Sequence, residues 1–126
     1  MYSLILNFFN MLTIHYTGPK NEVNAFIKNI KSVLMNLPKN DQVRINDECM
    51  IFLIGKTYGF SIGVKNKHLI MLNINEISKN NMSIKEQRFI IAHEFAHFIL
   101  KHTHSNDENE QEANDLVLKW NISNEF

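Results

Sequence analysis

Residues 87–100, QRFIIAHEFAHFIL, constrain this chain more than any other stretch of it. Apolar side chains occupy nine of its fourteen positions, so a helix formed here has to be buried on most of its sides. Ser83-x-x-Glu86 directly upstream is a capping box, which sets the start of that helix and predicts it over 83–101. Inside the apolar run stand His93, Glu94 and His97. Polar side chains in such surroundings are costly to bury without partners, so a chain that folds around this helix must supply some.

The spacing suggests what the partner is. His93-Glu94-Phe95-Ala96-His97 is an H-E-x-x-H pattern, and histidines four residues apart project from one helical face, where both imidazoles can bind one tetrahedral metal ion. Glu94, on an adjacent face, can act as general base toward a water acidified by that metal and then pass the proton to a leaving amine. Zinc in a hydrolytic site needs a third protein ligand and one open position. The elongated pattern H-E-x-x-H-x-x-G-x-x-H does not provide the ligand, because Leu100 and Thr103 stand where its Gly and last His belong. Continued along the helix, His102 points almost opposite to His97.

A last helix over 109–120 offers a better candidate. At about 100° per residue, Ala113, Leu116, Val117 and Trp120 form its buried stripe, Glu110 lies at the edge of that stripe, and Asn114 follows one turn on. Glu112, Asp115 and Lys119 fall on the far side. Glu110 is the expected third ligand, with Glu112 and His104 as alternatives. The plainer reading of Glu110 is a first-turn acid that complements the helix dipole. An oxyanion-stabilising donor could come from Tyr58, His68, His102 or His104, and the sequence does not choose among them.

The rest of the chain fits one α+β domain over 1–126. An apolar lead, 1–16, lacks the basic flank and cleavage site of a signal peptide and is too short to span a bilayer, so it is expected to pack on the domain. Val23, Phe26, Ile27, Ile30, Leu34 and Leu37 mark an amphipathic helix over 21–37, capped by Asn21 and stopped by Pro38. From residue 44 to 73 the period shortens. Runs at 49–54, 59–64 and 68–72, separated by turn-like Gly55-Lys56-Thr57 and Lys65-Asn66-Lys67, predict a small antiparallel sheet of three or four strands packed against the H-E-x-x-H helix. Thirteen basic residues balance thirteen acidic ones, which disfavours direct nucleic-acid binding, and no membrane association is expected. The single Cys49 reads as a small buried hydrophobe in a cytoplasmic chain.

Residues 87–100 followed by Glu110-Gln111-Glu112-Ala113-Asn114 resemble the core signature of the ImmA/IrrE metallopeptidases, gluzincin-like proteases with an H-E-x-x-H helix and an E-x-E-A-[ND] helix. The resemblance is close over about the last 40 residues. Leu116-Val117 stand where the family usually has Phe-Ala, and only six residues follow Trp120, where longer members continue into a substrate-binding region. The resemblance implies one Zn2+ per chain, held by His93, His97 and Glu110, with Asn114 orienting a ligand histidine. It also implies a site-specific endopeptidase that cleaves a helix-turn-helix repressor of a mobile element or stress response. Two other readings keep the same fold: a zinc-containing anti-repressor that binds without cutting, and a latent protease whose residues 1–14 occupy the cleft.

Overall fold

The computed structural model describes residues 2–6, 12–16, 20–54, 68–73 and 82–122. The elements run β1 (Tyr2–Leu6), β2 (Leu12–Tyr16), α1 (Lys20–Met35), α2 (Lys39–Glu48), β3 (Cys49–Ile54), β4 (His68–Asn73), α3 (Ile84–Ile99) and α4 (Asp107–Lys119). The architecture is α+β. Among the described residues no helix is long and apolar enough to cross a membrane.

The sheet is mixed, in the order β1-β2-β3-β4. β1 and β2 pair antiparallel, but β2 with β3 and β3 with β4 run parallel, which corrects the expectation of an antiparallel meander. A short apolar run locates a strand without giving its direction, and a tight turn cannot join parallel neighbours. α1 and α2 supply the crossover between β2 and β3. The expected strand at 59–64 lies outside the described residues. Ile14, Ile51 and Ile70 align across three strands, as do Leu53 and Leu72, and all five are buried. On β4 the alternate residues Leu69 and Met71 are exposed.

Every residue of the expected stripe is buried, with Val33 added, although Leu37 lies past the end of α1. It stops at Met35, but Pro38 then opens a second helix instead of a strand region, so the sheet boundary at residue 44 is corrected to 49. Pro38 sits at the N-cap with φ −55° and ψ 144°, where its missing N–H costs nothing. α2 turns only Gln42, Ile45 and Asn46 inward. The Gln42 amide donates to the Leu37 carbonyl at 2.7 Å, which ties the corner between the two helices. Cys49 is buried at the head of β3.

α3 runs through the middle of the molecule, packed against α1, α2, β4 and α4. The capping box forms at Ser83, whose Oγ accepts from the Glu86 N–H at 3.2 Å. Phe95, Ala92 and Ala96 are fully buried. Phe95→Ala is expected to cost about 3–5 kcal/mol in chemical denaturation, because a void in the centre of a close-packed core collapses only partly. A loss below about 1 kcal/mol would place Phe95 outside the structural core.

Candidate active site

Two helix termini build the site. α3 presents His93 and His97 one turn apart, and α4, which starts at Asp107 after its Asn106 cap accepts from the Asn109 N–H at 2.8 Å, brings Glu110 up in its first turn. The stripe of α4 is as expected: Ala113, Val117 and Trp120 are buried and Leu116 packs against the core. That phase turns Glu110 toward the histidines and leaves Glu112 exposed.

The three side chains converge. His93 Nε2 lies 2.7 Å from Glu110 Oε2, His97 Nε2 lies 3.2 Å from Glu110 Oε1, and the two imidazole Nε2 atoms are 3.0 Å apart. Tetrahedral bonds of about 2.0–2.1 Å to zinc would set such atoms about 3.3 Å apart, so the trio fits a metal ion with small adjustments. No other His, Cys, Asp or Glu group among the described residues offers that convergence. The histidine side chains are 16% and 15% exposed, leaving one open side.

That side faces a cleft of about 290 Å³, lined by Glu94, His97 and Glu110, with His68, His102 and His104 around its wall. Tyr58, the fourth expected oxyanion donor, lies outside the described residues. Burial pushes the Glu94 carboxyl above the ordinary carboxylate range; His93 pulls it down and the Glu110 carboxylate raises it. Glu110 itself is held low: its slight burial works upward, but the hydrogen bond and charge of His93, the Ser105 hydroxyl and His97 outweigh that. Burial, then the neighbouring His93, depress His97, although Glu110 opposes them.

Two partners were not foreseen. Ser105 Oγ donates to Glu110 Oε1 at 3.1 Å from the loop before α4, and no motif marks it. His102, expected on the opposite side of a longer helix, has Nδ1 2.9 Å from His97 Nδ1. α3 ends at Ile99, not near Lys101, and Lys101 takes φ 60°. The His102 N–H then bonds back to the His97 carbonyl and the Lys101 N–H to that of Phe98, a Schellman closure that folds His102 beneath its own helix. Asn114 is half-buried one turn beyond Glu110, and His93 Nδ1 is buried without a hydrogen-bond partner among the described residues.

A second cavity of about 310 Å³ adjoins the cleft, sharing His68, His102 and Thr103 and walled by Phe98, Arg44 and Lys101. Arg44 lies over the Phe98 ring at 5.2 Å.

No curated protein and no solved structure matches the chain. The sequence profile of the IrrE N-terminal-like domain, Peptidase_M78, matches residues 66–122, a span that takes in β4, the H-E-x-x-H helix and the Glu110 helix. The segment that holds the converging trio and Glu94 is thus matched by the ImmA/IrrE family of metallopeptidases.

Proposed function

We propose that the chain is a zinc endopeptidase, with one zinc held by His93, His97 and Glu110 and with Glu94 as general base. The observation that carries this reading is the convergence of three ligand atoms within hydrogen-bond distance of one another, beside a carboxylate that lines the same cleft. Zinc in such a site lowers the pKa of water and polarises a carbonyl. The protein does the rest. Glu94 takes the proton of the attacking water and delivers it to the amide nitrogen as the peptide bond breaks. Its partial burial makes it a better base than a solvated carboxylate. Among the described residues β4 stands at an edge of the sheet, and an extended substrate segment can lie along it by strand addition, which supplies affinity without long sequence matching.

The proposed substrate is a regulatory protein, a helix-turn-helix repressor, in a cytoplasmic setting. Support for the substrate comes from family resemblance alone. The latent reading has little support in the sheet, where β1 and β2 pair on the side of β3 away from β4. A carboxylate beside the ligands has no evident use in a pure binder, which disfavours the anti-repressor reading.

Co-expression with candidate repressors tests the proposal: a fragment should appear with the wild type and be missing with Glu94→Gln. Elemental analysis after gentle purification should find close to one zinc per chain. A folded, cleaving preparation without metal would overturn the reading.

A further inference from the structure

Beyond the ligands, a second line of side chains leads away from the site. His97 Nδ1 meets His102 Nδ1 at 2.9 Å, and His102 Nε2 meets Glu112 Oε2 at 3.3 Å. The His102 side chain is only 8% exposed, whereas Glu112 is 49% exposed on the outer face of α4. The line therefore begins at a ligand, passes through a buried ring and ends at solvent.

Proton counting gives this line a direction. For His97 to present a lone pair at Nε2, its single ring proton must sit on Nδ1. That N–H donates to His102 Nδ1, which has to be the unprotonated nitrogen of its ring. The His102 proton is then on Nε2, aimed at the Glu112 carboxylate, a group that can only accept when ionised. Every donor finds an acceptor, and one carboxylate at the far end selects both tautomers. The geometry depends on Lys101 at φ 60°, which brings His102 back under α3.

We propose that His102 and Glu112 are positioning residues: Glu112 fixes the tautomer and ring orientation of His102, and His102 does the same for His97, so that His97 Nε2 faces the metal position. Glu112 thus serves the site without being a ligand, and the two carboxylates of Glu110-Gln111-Glu112 divide the work. One meets the ligand trio, and the other holds a ligand from behind. Partners of this kind commonly change metal affinity by about 10- to 100-fold when removed.

This inference rests on the zinc reading above, and its test separates the two. The full-length apoprotein is titrated with Zn2+ against a chromophoric chelator, and with Co2+ to record its visible absorption bands, which report ligand geometry. His102→Phe keeps a ring but no hydrogen-bonding atoms, and should weaken zinc by about 10- to 100-fold and shift the cobalt bands. His102→Gln can accept from His97 and donate to Glu112, so it should recover most of the affinity and the wild-type bands. Glu112→Ala, on an exposed face, should lose about 10-fold with no change in apoprotein Tm. Should His102→Phe fail to fold, Glu112→Ala decides alone. Wild-type affinity and bands in Glu112→Ala overturn the proposal, as does a His102→Phe loss that His102→Gln does not recover. A wild-type chain that binds neither metal overturns the zinc reading and this inference together; a binding wild type with unchanged variants overturns this inference only.

Discussion

Glu94→Gln is expected to lose cleavage by at least about 100-fold while retaining zinc and substrate affinity, the scale at which general-base assistance contributes to hydrolysis. The substitution keeps shape and hydrogen-bonding capacity and removes only the basic oxygen. Glu94 is not among the three converging side chains, so metal content should not change. It lines the same cleft as His97 and Glu110, where a peptide carbonyl would have to lie to be attacked. Its raised pKa comes first from burial, so the neutral amide suits the site no worse than the carboxylate, and stability should hold or rise slightly. Single-turnover cleavage, alongside metal analysis and a binding measurement, distinguishes the cases. Equal cleavage by mutant and wild type would remove Glu94 from the chemistry and favour a binding module.

The parts of the molecule legible in the sequence are those with repeated apolar spacing. α1 and α3 carry three or more turns of apolar residues and the stripe of α4 about two, and their buried faces fall where the periodicity puts them. α2 has Val43 and Ile45 as its only apolar residues and buries two amides instead, so no period marks it. Strand direction was illegible for a different reason: the apolar runs at 49–54 and 68–72 read the same whether the strands run together or oppose. In the site, His93, His97 and Glu110 follow from helical angles within regular helices. His102 does not, because extrapolating 100° per residue assumes the helix continues, and one left-handed residue at Lys101 ends it. Ser105 reaches Glu110 from a loop, where spacing predicts nothing.

Glu110→Ala should reduce zinc affinity by more than about 100-fold, beyond the range reached by removing a partner of a ligand, and abolish cleavage. Two imidazoles one turn apart remain in that variant, but the only negative charge among the three donors is gone. The geometry explains why no neighbour substitutes for it. Glu112 is held at His102, and about 200° of helix separates it from Glu110. Ser105 offers only a hydroxyl, which serves Glu110 itself. Glu110→Gln sharpens the test, since its carbonyl keeps an oxygen in place without the charge, and zinc affinity should fall between wild type and the alanine variant. Metal titration of Glu110→Ala and Glu112→Ala side by side orders the two roles. A larger loss in Glu112→Ala than in Glu110→Ala would mean that α4 turns its other carboxylate to the metal, and that the ligand set, the helix phase and the positioning line through His102 all have to be rebuilt.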